Sequence, residues 1–78
     1  MGNITSGRQL RCARILAGLT QAELARAAGY HPRSARYWES KGDKLPTNIV
    51  STLDDIERAL KQKGVIIFSE PTPGVRLR

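Results

Sequence analysis

The sequence predicts a mainly α fold of four short helices followed by a C-terminal β-hairpin, and three observations predict it. Glycines at 18, 29 and 64 each close a stretch with helical patterning. Helix-start residues, chiefly hydroxyls with a proline, precede the stretches between them. After Gly64 the apolar pattern leaves helical spacing, and β-branched and aromatic residues follow one another.

Ser6-Gly7-Arg8-Gln9 has the form of a capping box, in which a hydroxyl accepts an orphan backbone N–H and a Gln three residues on reaches back. A first helix over residues 8–17 follows. Thr20-Gln21-Ala22-Glu23 repeats the signal, and alanines carry a second helix to residue 28 before Gly29 stops it. Pro32 fits the first turn of a third helix, where its fixed φ helps and its missing N–H costs nothing. That helix is expected to run to residue 40. Residues 40–46 have loop chemistry, and Thr47 or Asn48 is placed to cap a fourth helix with Ile49, Leu53, Ile56 and Leu60 at helical spacing. Val65-Ile66-Ile67-Phe68 predicts a strand buried on both faces. Pro71-Thr72-Pro73-Gly74 reads as a turn, and Val75-Arg76-Leu77-Arg78 as a half-exposed strand pairing with the first.

Thirteen Lys and Arg against seven Asp and Glu leave a net charge of +6, which favours a polyanionic partner. The excess lies in the first half. Residues 8–44 hold eight basic and three acidic side chains, whereas residues 47–64 hold three of each. A lone cysteine, Cys12, and a lone histidine, His31, form no disulfide and no metal-ligand set, so no metal or cofactor is expected. Neither paired carboxylates, a nucleophile with its base, nor a phosphate-cradling glycine loop is present, which argues against an enzyme. With no apolar run of membrane-spanning length and no secretory leader, a cytoplasmic location without membrane contact is expected.

Two short helices joined at a glycine turn cross closely only over small residues, and Ala25 stands four positions before Gly29. Leu24, Ala28, Tyr30, Ala35 and Trp38 fall on the inner faces. Arg33, Ser34, Arg36 and Tyr37 are left on the outer face of the third helix. A helix of that width enters the major groove of DNA, where Arg pairs with guanine in bidentate fashion and Ser or Tyr reaches base edges or phosphates.

Through Leu19-Thr20-Gln21-Ala22-Glu23-Leu24-Ala25, and Gly29 followed by Trp38-Glu39, residues 10–60 resemble the lambda Cro and repressor type of helix-turn-helix proteins, the XRE family. The resemblance implies a four-helix lambda-repressor-like domain that binds double-stranded DNA and regulates transcription as a repressor and homodimer. It implies Gln21 beside a phosphate, Arg33, Ser34 and Tyr37 over bases, and Arg36 as their neighbour. Arg14 and Glu39 fall where the family has a buried ion pair between the first helix and the end of the third. His31 replaces the usual Ser or Thr cap and stands near the phosphates. Pro32 replaces a residue that often touches DNA, and Ala35 is smaller than the usual β-branched residue. Lys41 and Lys44, in a loop longer than is common, are further phosphate-contact candidates.

The reading divides the chain into a DNA-binding domain, residues 1–64, and a β extension, residues 65–78. The extension's ending is similar to that of short bacterial members whose strands join two subunits. Val65, Ile66, Ile67, Phe68, Val75 and Leu77 are therefore expected at a dimer interface. The first helix adds a second apolar row, Cys12, Ile15, Leu16 and Leu19, beside the Leu10, Ala13 and Ala17 row that faces the core. Either the chain's own hairpin folds back over that row or a second subunit covers it, and the edge exposed by an unpaired strand favours the second subunit. A protein-interaction module, such as an antitoxin whose C-terminal strands bind an unidentified partner, is the alternative reading.

Overall fold

The computed structural model describes residues 3–78. Helix α1 (Gly7–Leu16) is followed by α2 (Gln21–Ala27) and α3 (Ser34–Trp38). A 3₁₀ turn, Val50–Thr52, leads into α4 (Leu53–Gln62), and strands β1 (Val65–Phe68) and β2 (Gly74–Leu77) close the chain. Four helices and a two-stranded antiparallel sheet are thus the architecture that the patterning predicts.

Local chemistry explains the helix starts. Ser6 Oγ accepts the Gln9 N–H at 3.0 Å, capping α1 as expected. The return bond differs from the expected box, because Gln9 Oε1 accepts from the Thr5 N–H at 2.7 Å, one residue earlier. At α2 both halves of the box form: Glu23 N–H donates to Thr20 Oγ1 at 3.1 Å, and Thr20 N–H to Glu23 Oε1 at 2.9 Å. Gly29 ends the following turn at φ +88°, a conformation that an L side chain would strain.

The third and fourth helices depart from expectation. Ser34–Trp38 is shorter than the predicted span, since Pro32 and Arg33 form a turn before it and residues 39 and 40 a turn after it. Neither Thr47 nor Asn48 caps α4. Ile49 precedes the helix and is fully buried, and Thr52 N–H closes a tight turn on the Ile49 carbonyl at 2.8 Å. Residues 49–52 are β-branched or hydroxyl-bearing, which weakens α-helix there and favours the tighter turn. The α-helix proper begins with Leu53, and Asp54 and Asp55 in its first turn complement the helix dipole.

The core gathers Leu10, Leu24, Ile49, Ile56, Leu60 and Val65 as its largest fully buried side chains, with Ala13, Ala25, Ala35 and Trp38 among them. Alanines at 25 and 35 let α2 and α3 approach, which turns the inner face of α3 toward the core and leaves the opposite face to solvent. The hairpin pairs Val65 with Leu77 and Phe68 with Gly74 at its ends. It folds back onto α1 and α4 of the same chain. Gln9, 6% exposed, donates through Nε2 to the carbonyls of Phe68 (2.9 Å) and Gly74 (3.2 Å), so a buried amide fastens the hairpin to α1.

Three expectations for the hairpin and α1 need correction. The strand over residues 65–68 is not buried on both faces: Val65 is in the core, while Ile66, Ile67 and Phe68 are half-buried. Val65, expected at a dimer contact, is 1% exposed within a single chain and is taken up by the core. Along the second row of α1 only Leu19 packs against the core. Cys12 and Ile15 are exposed, the latter at 57%, and Leu16 is partly exposed, at 38%.

Candidate nucleic-acid interface

The outer face of α3 is set from beneath. Ala35 and Trp38 lie in the core, and the Tyr30 ring meets Trp38 edge-on at 5.6 Å while its hydroxyl donates to Asp55 Oδ2 at 2.7 Å. That bond holds the α2–α3 turn against α4 and, because it favours the neutral phenol, raises the Tyr30 pKa above its ordinary value. The helical period then places Arg33, Arg36 and Tyr37 outward, all exposed, with Ser34 half-buried beside them.

The start of α2 lies alongside. Gln21, Ala22, Pro32, Arg33 and Arg36 line one shallow concavity, so the structure brings together Gln21 and two of the three arginine and tyrosine side chains of the outer face. Gln21 is half-buried and donates through Nε2 to Glu39 Oε1 at 3.2 Å. Its side chain is therefore tied to the scaffold rather than free.

Glu39 is the junction of that scaffold. Arg14 Nε meets Glu39 Oε2 at 2.8 Å, and the two side chains are 13% and 5% exposed. Arg14 Nη1 also donates to the Leu19 carbonyl at 3.0 Å, so the guanidinium binds the end of α1 while Glu39 closes α3. The arginine–carboxylate pair that the sequence suggested is present, and Gln21 completes a three-helix link.

His31 caps the turn before α3 through its ring: Nδ1 accepts the Arg33 N–H at 3.1 Å, and the His31 carbonyl accepts from Ser34 N–H at 2.9 Å. An accepting Nδ1 leaves the neutral ring's proton on Nε2, a donor on an exposed residue. Lys41 and Lys44 are exposed in the loop after α3. The backbone of that loop is anchored on α1, whose first N–H groups bond Lys44 O (Gly7, 3.1 Å) and Gly42 O (Arg8, 2.7 Å).

Two residues of this framework escape the pattern-based reading. Gly7 carries no side chain because a Cβ there would stand 2.8 Å from the Glu39 carbonyl oxygen, so the close approach of α1 to the end of α3 depends on it. A glycine inside a helix is itself a weak signal of such a contact. Tyr30 was read only as an inward apolar residue, and its bond to Asp55 joins positions too far apart in sequence to suggest pairing.

A short helix pair crossing at a glycine turn, with a basic outer face on the second helix and a buried arginine–glutamate pair behind it, has the form of a DNA-binding domain. The helix-turn-helix family model matches residues 10–64, and the chain belongs to that family, of the XRE or Cro type. That family is a DNA-binding one rather than a catalytic one, and the matched domain implies that the chain binds DNA. No curated protein matches the chain. Among the described residues no helix is long and apolar enough to cross a membrane.

Proposed function

We propose that this protein is a sequence-specific transcription regulator that lays α3 in the major groove of an operator and represses the adjoining gene as a homodimer. The observation that supports it best is the outer face of α3, where Arg33, Arg36 and Tyr37 stand exposed over a rigidly packed inner face. In this reading Arg33, Ser34 and Tyr37 reach base edges, and Gln21, His31 and Arg36 hold the flanking phosphates. Lys41 and Lys44 extend the phosphate contact from the loop. Fixing Gln21 through Glu39 restricts its motion before DNA arrives, which lowers the entropy lost on binding.

Bound as a dimer, the protein reads two half-sites whose centres are about 10 base pairs, or a multiple, apart. The uncovered apolar side chains of Ile15 and Leu77 and the half-buried hairpin support self-association. Selection of bound sites from random DNA tests the reading, and a symmetric consensus is the expected result. Arg33→Ala then costs about 1–3 kcal/mol on the selected site and relaxes preference at one base pair. Equal weakening on every sequence would reassign Arg33 to a phosphate. Lys44→Ala weakens all sequences alike and makes the salt dependence shallower, by about one unit of slope. A reporter whose expression is unchanged by the protein would remove repression from the proposal.

A further inference from the structure

Given the operator reading above, on which this depends, we infer that the shallow concavity between the starts of α2 and α3 takes the 5-methyl group of a pyrimidine base. Ala22 and Pro32 are then the residues that select that base.

Five residues line the concavity: Gln21 and Ala22 from α2, Pro32 and Arg33 from the turn before α3, and Arg36 from α3 itself. Ala22 and Pro32 are its apolar members, and both are half-buried, whereas the two arginines are exposed. A methyl group and a pyrrolidine ring offer a base edge no hydrogen bond. The backbone beside them adds none. Pro32 has no N–H, the Arg33 N–H donates to His31 Nδ1 at 3.1 Å, and the Ser34 N–H to the His31 carbonyl at 2.9 Å. Gln21 is held in turn by Glu39. The site is thus an apolar floor flanked by two guanidinium groups, with no carboxylate among the lining residues.

The four bases differ in what they set against such a floor in the major groove. Cytosine and adenine present amino donors, at N4 and N6, which a guanidinium cannot accept because it is a donor itself. Guanine presents acceptors at O6 and N7 but no apolar group. Thymine alone joins an acceptor, O4, to a methyl group, and those are the two partners that the concavity complements. A 5-methylcytosine carries the same methyl group with an amino donor in place of O4. The shared chemistry is the 5-methyl group, and the guanidinium donors favour thymine as its source. Burying a group of that size is worth about fourfold in affinity.

Changing the DNA tests this without disturbing the protein's fold. On the operator selected from random sequences, each thymine is replaced in turn by uracil, which removes the 5-methyl group alone. At one thymine of each half-site the replacement is expected to weaken binding about fourfold. In Pro32→Ala, with helical circular dichroism unchanged, the ratio of the thymine to the uracil affinity at that position is expected to fall toward one. Cytosine and 5-methylcytosine at the same position, each opposite guanine, separate the two sources. The methylated base is expected to bind about fourfold tighter than cytosine and more weakly than thymine. Binding tighter than thymine would support the methyl site with methylated cytosine as its ligand. If no thymine-to-uracil replacement weakens binding, or if Pro32→Ala keeps every methyl effect in full, the methyl site is overturned and the regulator stands. If selection returns no preferred sequence, the operator reading itself falls, and the methyl site with it.

Discussion

Glu39 ties the end of α3 to both α1 and α2. It accepts from Arg14 and Gln21 at once, so its removal strands a guanidinium that is 13% exposed and releases the side chain at the start of α2. Breaking a buried pair by deleting one partner is far costlier than the pair's net worth, because the remaining charge stays desolvated. Glu39→Ala is therefore expected to lower stability by about 3 kcal/mol in thermal or urea unfolding. A loss under about 0.5 kcal/mol, typical of an exposed site, would contradict the burial of the pair. Gly7→Ala probes the same junction from the other side. Its methyl would press on the Glu39 backbone, which cannot yield as a flexible side chain could, and a destabilisation of about 1–3 kcal/mol is expected from the same unfolding measurements. A gain in stability, as helix propensity alone would give for Gly to Ala, would show that the backbone relaxes freely.

At the scale of elements, α2 depends on its cap, and the cap depends on pH. The Thr20 hydroxyl oxygen accepts the Glu23 N–H, and the Thr20 backbone N–H donates to the Glu23 carboxylate; that backbone bond first, and the Thr20 hydroxyl beside the carboxylate second, hold the Glu23 carboxyl below its ordinary range. A depressed folded-state pKa means that the stabilisation is fully present above the unfolded carboxylate's pKa and fades as the pH falls through the lower folded value. Acid titration of stability is expected to be shallower in Glu23→Gln than in wild type, and identical slopes would exclude the carboxylate as a source of acid sensitivity. The capping signals at Ser6 and Thr20 were legible because a cap is written within four residues. The start of α4 was not, since an apolar stripe gives the period of a helix but not the residue where β-branched neighbours tighten its first turn. For the outer face of α3 the legibility came from the complement: once Ala35 and Trp38 are inward, the period leaves Arg33, Arg36 and Tyr37 outward. The ring cap of His31 was foreshadowed only by its position before Pro32.

Across the whole molecule the hairpin's place in the core and its proposed part in the homodimer separate by side chain. Val65 belongs to the same core as Leu10, Ile56 and Leu60, and the buried amide of Gln9 has its donors satisfied by hairpin carbonyls. The chain's own fold thus uses the hairpin, which the alternating apolar pattern could not reveal, because a pattern shows that a face needs cover without saying what covers it. Ile67 also packs against the core, so a charge placed there reports on folding before association. Ile66 lies on the other face. Val65→Ala is therefore expected to cost about 2 kcal/mol through lost burial and the cavity left behind, at any protein concentration. Ile66→Lys is expected to act through mass action instead. A dimer linked to folding melts higher as the protein is concentrated, and that dependence should persist in Val65→Ala and vanish in Ile66→Lys. Melting curves recorded over a hundredfold range of concentration distinguish the two. Equal concentration dependence in wild type and Ile66→Lys would mean that the outer face of β1 takes no part in assembly, and that the hairpin serves the core alone.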